Sequence, residues 1–198
     1  ECARLARTTR SQIMKMIGRA GSGHVGGCLS VVEILLTLYY RFLRIRPTDP
    51  AWEARDRLVM SKGHAGPTLY AVLAGLGYFP EDELATLNAN GTNLPSHCDR
   101  LRTRGIDMTT GSLGQGLSAA VGIGLGMRLK GLPARAWCLL GCGELNEGQV
   151  WEAAMAAAKS GDRPPAPPPF STSTVTPVEA EFQRVMALDD AAHEEIDK

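Results

Sequence analysis

An α/β fold with a mostly parallel sheet flanked by helices is predicted by three features of the chain. Two short apolar runs each end in a glycine-bearing loop, a helical pattern follows each loop, and further helical segments separate the two units. Taken in order, the first helix is expected over Thr9 to Ile17, where Ile13, Met14, Met16 and Ile17 are apolar and the glycines beginning at Gly18 end it. Ser30-x-x-Glu33 reads as a capping box that opens a second helix, with Val32, Leu35, Leu36, Tyr39 and Phe42 at helical spacing. Leu58-Val59-Met60 reads as a buried strand running into the loop Ser61-Lys62-Gly63-His64. Pro67 then starts a helix through Leu76, because a proline in the first turn loses no hydrogen bond. Ala136 to Leu140 repeats the arrangement: apolar strand, loop Gly141-Cys142-Gly143-Glu144, then a helix from Gln149 to Lys159. Parallel sheets present ligand groups at the carboxyl ends of their strands, so the chemistry is expected in those two loops.

One predicted helix has an unusual makeup. Gly114, Ser118, Gly122 and Gly126 recur every four residues, with Gly116, Ala120 and Gly124 beside them. Each helical glycine costs roughly 0.8–1 kcal/mol relative to alanine, so propensity alone does not make this segment a helix. Close approach of another surface would explain it: a cofactor wall, a subunit interface, or ordinary tight packing inside the fold.

The 198 residues suit a single domain with an appendage. With 21 basic and 21 acidic side chains, the chain carries no net charge that would point to nucleic acid. Its apolar stretch Leu29 to Leu43 is interrupted by Ser30, Glu33, Thr37 and Arg41, which argues against a membrane partner. Five cysteines without a C-x-x-C pair, and no signal-like pattern in the first residues, lead to the expectation of reduced thiols and a cytoplasmic location. Two unlike pieces emerge: a module over 1–160 and a tail over 161–198. The tail holds six of the twelve prolines, with eight acids against three bases. Its first part reads as a polyproline-like linker and its end as a weakly ordered acidic segment.

Three of the four histidines lie among glycines and polar residues: Ser22-Gly23-His24, Lys62-Gly63-His64 and Ser96-His97-Cys98. Loop imidazoles above strand ends move protons near neutral pH or contact phosphates and hydroxyls. A histidine metal site with Cys98 or Cys142 is the competing constellation, although no two of these residues have a zinc-like spacing. The loop Gly141 to Gly148 ends a strand and opens a helix, an arrangement that lets backbone amides approach a diphosphate.

Together these residues resemble the transketolases. Ser22-Gly23-His24 with Gly26, Ser61-Lys62-Gly63-His64-Ala65, Thr109-Thr110-Gly111-Ser112-Leu113-Gly114-Gln115-Gly116 and Gly143-Glu144-Leu145-Asn146-Glu147-Gly148 occur in that family's order. The likeness covers about residues 5–160 and is greatest to the N-terminal half of the split, two-subunit type. The resemblance implies a thiamine-diphosphate-binding fold, here with its sheet incomplete. It also implies transfer of a two-carbon ketol unit between sugar phosphates, using thiamine diphosphate and a divalent metal, Mg2+ or Ca2+. It implies a C-terminal partner subunit carrying the pyrimidine-binding module, within a homo- or hetero-oligomer, so the chain alone is expected to be inactive. By the same carry-over His24, His64 and His97 are catalytic, lining the substrate channel, and His64 also approaches the diphosphate. Gly111, Ser112 and Leu113 contact the cofactor, Gly143 its diphosphate, and Glu147 lies between two active sites. Two departures stand out. Cys142 replaces the aspartate that holds the metal in the family, and no asparagine follows Asn146 to serve as its second ligand. They motivate the alternative of a non-catalytic relative that acts as a binding or assembly partner.

Overall fold

The computed structural model describes residues 2–159; the linker and acidic tail expected over 161–198 lie outside them. Helix α1 runs from Cys2 to Ala20, longer at both ends than predicted, and buries Ala6, Thr9, Ile13, Met16 and Ile17 along one stripe. Gly18 does not stop it. The helix ends at Gly21, whose φ of +70° and amide bond to the Ile17 carbonyl (3.0 Å) form a left-handed cap.

The predicted capping box does not form. Helix α2 (Val25–Leu29) is followed by α3 (Val32–Thr37), whose N-cap is Val31, with no side-chain cap bond. Ser30 already has helical torsions (φ −63°, ψ −21°) at the end of α2, whereas an N-cap residue is extended. Its hydroxyl donates to the Gly27 carbonyl and accepts from Lys62 Nζ, while Glu33 pairs with Arg10. From α3 the chain continues into a π-helical turn, Leu38–Phe42. Val32, Leu35, Leu36 and Tyr39 are buried as their spacing predicts, but Phe42 is exposed. The stretch Val25–Phe42 is long and apolar enough by composition to cross a membrane. Here it is divided among three helical segments and its buried face joins the core.

Strands β1 (Arg57–Met60) and β2 (Ala136–Leu139) pair in parallel, with Arg57 opposite Ala136 and Met60 opposite Leu139. They form the whole sheet among the described residues. The predicted parallel α/β arrangement is therefore present, with a small sheet among many helices. Buried carboxylates fix the start of the sheet. Asp56 accepts from the amides of Arg44 (3.0 Å) and Arg135 (2.8 Å), and Asp107 accepts from the Leu58 amide (2.8 Å) and pairs with Arg55.

Helix α4 (Gly66–Gly75) carries Pro67 in its first turn and is buried from Gly66 through Ala74, as befits a helix that is apolar on all sides. With α1, α3 and β1 it makes the main core, centred on Ile13, Leu35, Met60, Leu69 and Leu73. Helices α5 (Gln115–Leu129) and α6 (Gly148–Lys159) pack beside β2 around a smaller cluster of Leu117, Val150 and Ala153. The glycine-rich segment is helical after all, and its small residues divide into two groups. A Cβ on Gly116 would lie 2.5 Å from Ser61 Cβ, so the close approach predicted there exists and comes from the same chain. Around Gly122 and Gly126 no described atom lies within 4 Å of such a Cβ.

Candidate functional site

Both strands end at one place. After Met60 the chain turns through Ser61 and Lys62 into a short 3-10 turn, Gly63–Ala65, that carries His64 and leads directly into α4. After Leu139 it passes through Gly141 and Cys142 into a second such turn, Gly143–Asn146. Two other loops converge on these. His24 ends the connection from α1 to α2, and His97 lies on the long segment between α4 and α5.

The three loop histidines are brought together. The ring centroid of His24 lies 5.0 Å from that of His64 and 6.0 Å from that of His97. His24 is exposed and the other two are half-buried. Their placement is built into the backbone. Thr68 Oγ1 donates to the Cys28 carbonyl (2.7 Å), and Cys28 Sγ approaches the His64 carbonyl (3.6 Å), which joins the start of α4 to α2 beneath His64. The Tyr70 hydroxyl lies 2.9 and 3.1 Å from the carbonyl oxygens of Pro95 and His97, anchoring the His97 segment on α4. The Thr110 amide bonds to the Cys98 carbonyl (3.0 Å), which brings Gly111 against the His97 ring. Gly63 is required by this crowding, because a Cβ there would lie 2.7 Å from the Thr110 carbonyl.

Electrostatics act on His64. Burial, the Lys62 ammonium and the other two histidines all push the His64 pKa below its ordinary value of 6.5. His64 is therefore neutral near pH 7, able to donate from one ring nitrogen and accept at the other. Burial pushes the thiols of Cys28 and Cys98 up, the latter to about 12, so neither is a reactive thiolate at neutral pH.

The remaining predicted residues lie around this cluster. Gly111, Ser112 and Leu113 are exposed at the entrance to α5. Gly143 is exposed and faces open space, with no described atom within 4 Å of an added Cβ. Glu147 packs against Gly114 (Cβ to the added Cβ, 2.8 Å), whose φ of +83° brings the chain close at that point. The open backbone at Gly143 and the gathered imidazoles suit a ligand with an anionic end and hydrogen-bonding rings. A divalent cation fits poorly. Cys142 is exposed and offers a soft sulfur, and among the described residues no group of three or more His, Cys, Asp or Glu side chains is gathered as ligands. The competing histidine metal constellation likewise has no such group there.

Sequence reasoning assigned no role to Lys62 or Glu144. Lys62 is 5% exposed, its ammonium 3.3 Å from Ser30 Oγ, and Glu144 is 2% exposed, bonded to Ser61 and to the Gly141 amide (3.2 Å). The signal that could have found them was two charged residues inside the loops already marked as chemical.

A family model described as transketolase, thiamine diphosphate binding domain, matches residues 2–161. The chain belongs to the transketolase family. Among its relatives, the 6-deoxy-6-sulfo-D-fructose transketolase subunit SqwG of Clostridium sp. (strain MSTE9) is 57% identical over 77% of this chain and 55% of that protein. An apulose-4-phosphate transketolase subunit from Actinobacillus succinogenes is 39% identical over 80% of this chain and 58% of its own length. The chain thus spans little more than half the length of these relatives. Transketolase from Campylobacter jejuni superimposes with a TM-score of 0.71 at 34% identity, over 79% of this chain and 26% of that one. These likenesses extend the transketolase assignment to the described fold, with its paired strand ends and converging histidine loops.

Proposed function

We propose that this chain is the thiamine-diphosphate-binding subunit of a split transketolase, acting with a C-terminal subunit to transfer a two-carbon ketol unit between sugar phosphates. The observation that carries the reading is the three-histidine cluster over the strand ends, in a chain two of whose bacterial relatives are transketolase subunits. When bound, the cofactor supplies the thiazolium carbon that forms and breaks the carbon bond. His64 would contact its diphosphate, Gly143 would offer a backbone amide to the same group, and Gly111, Ser112 and Leu113 would flank its rings. His24 and His97 would bind hydroxyls of the sugar phosphate and, with neutral His64, accept or return their protons. Glu147, beside Gly114 at the start of α5, would lie where two active sites meet in a homo- or hetero-oligomer. Five unpaired thiols support a cytoplasmic setting.

A second reading, a non-catalytic binding or assembly partner, is favoured by one observation. The β2 loop presents Cys142 at its tip, and the buried Glu144 is already committed to Ser61 and Gly141. No metal-dependent step is assigned to these residues. Calorimetric titration of the full chain with its C-terminal subunit separates the two. Thiamine diphosphate is expected to bind, with His64→Gln weakening it about tenfold, equivalent to about 1.4 kcal/mol. No binding by the wild-type pair, and none after Cys142→Asp in magnesium, would leave the assembly role as the function.

A further inference from the structure

Glu144 stands apart from the other residues of the β2 loop. Its carboxylate is almost completely buried, yet it has no Lys or Arg ion pair among the described residues. One oxygen accepts a hydrogen bond from the Ser61 hydroxyl, 83 positions earlier in the chain, and the other accepts from the Gly141 amide at 3.2 Å. Ser61 is the first residue after β1 and Gly141 lies just after β2, so one side chain joins the two strand ends. Gly116 makes the arrangement possible. Any side chain there would occupy the space of the Ser61 side chain, so the glycine of α5 leaves room for Ser61 between the helix and the carboxylate. Directly after Ser61 come Lys62, whose aliphatic carbons sit 3.6 Å from a Cβ built on Gly141, and then Gly63 and His64.

We infer that Glu144 is a positioning residue: through Ser61 and Gly141 it holds the His64-bearing loop and the Gly141–Gly143 loop at a fixed separation for an anionic ligand bound between them. The inference rests on the proposed function for the identity of that ligand, but the clamp itself is a property of this chain. A buried carboxylate is costly unless its oxygens are bonded. Removing it leaves a buried hydroxyl and a buried amide without their acceptor, and the two loops lose their common tether. Glutamine preserves the shape. Its carbonyl can accept from Gly141 and its amide can donate to the Ser61 oxygen, so geometry is restored while the charge is not.

The test follows the imidazole of His64 by NMR titration in the full chain, for wild type, Glu144→Ala, Glu144→Gln and the core control Leu69→Ala. In Glu144→Ala, His64 is expected to titrate measurably closer to its ordinary value, because a released loop is better hydrated. Glu144→Gln should retain the wild-type titration, and Leu69→Ala should lower Tm without moving it. In a second arm, with the C-terminal subunit present, Glu144→Ala should weaken thiamine diphosphate about tenfold and Glu144→Gln less than about threefold. An unchanged His64 titration in Glu144→Ala overturns the clamp, as does failure of Glu144→Gln to preserve it. Should Glu144→Ala not fold, Ser61→Ala removes one anchor only, and the same His64 shift, smaller in size, is required of it. Wild type that binds no thiamine diphosphate would overturn the proposed function, while the His64 titration would still decide the clamp.

Discussion

The two strands of the sheet pair residue for residue, but their surroundings differ. β1 is buried from Leu58 through Met60, with Leu58 and Met60 in the main core, whereas β2 is fully buried only at Leu139. The same contrast extends to the helices. α4 is buried on all sides, while α6 exposes Trp151 and Met155, and α5 leaves Leu129 89% exposed and open space beyond Gly122 and Gly126. Each Å² of apolar surface left in water forgoes roughly 25 cal/mol of stabilisation. The β1 half therefore supplies most of the stability of the described residues, and the β2 half carries half of the candidate site on a thinner foundation. The lesson is that a strand's pairing and a strand's burial are separate properties. Backbone hydrogen bonds set the first, and the side chains packed over each position set the second.

The largest expected effect tests this contrast directly. Leu73→Ala, in the main core, is expected to cost ~3–5 kcal/mol by urea unfolding, and Leu117→Ala, in the small cluster, ~2 kcal/mol. Equal losses would show that the two halves are equally packed. A smaller effect separates the two rows of α5. Gly116→Ala should destabilise by ~1–3 kcal/mol through overpacking against Ser61. Gly122→Ala should stabilise by about 0.5–1 kcal/mol, since no described atom opposes its methyl group and the helix gains propensity. The smallest effect concerns pH. The folded pKa of His64 lies below 6.5, so the unfolded chain binds the proton more readily. The His64 contribution is complete above about pH 6.5 and is lost as pH falls from there through the lower folded value. Urea midpoints measured from about pH 7.5 downward should decline across that window, and His64→Gln should flatten the decline.

Much of the architecture was legible because its signals are local. Leu58-Val59-Met60 and Ala136 to Leu140 are short apolar runs stopped by glycine or by a loop that contains it, and both became strands within a residue or so. The capping box at Ser30 and Glu33 failed for a reason the pattern could not show. The preceding residues already form α2, so Ser30 is a helix end before it can be a helix start. Gly18 misled in a similar way, since a glycine at the end of an apolar stripe ends a helix only where the backbone turns left-handed, which happens at Gly21. Of the site, His24, His64 and His97 were legible from their glycine-rich settings, and the structure does bring them together. Glu144 was not. Its partner Ser61 is distant in the chain, and no spacing rule links a hydroxyl after one strand to a carboxylate after another.

By itself the sequence determined the alternation of helix and strand, the two loops that end the strands and the histidines that occupy the loops. These depend on side-chain periodicity and on backbone torsions that glycine and proline permit or forbid, both readable over a few residues. Only the tertiary structure decided which glycines of α5 are filled against Ser61 and which face open space. It also decided that Glu144 joins two strand ends and that β1 is buried over more of its length than β2. These are questions of which surfaces meet, and contacts between residues far apart in the chain are set by packing the whole, not by any local pattern.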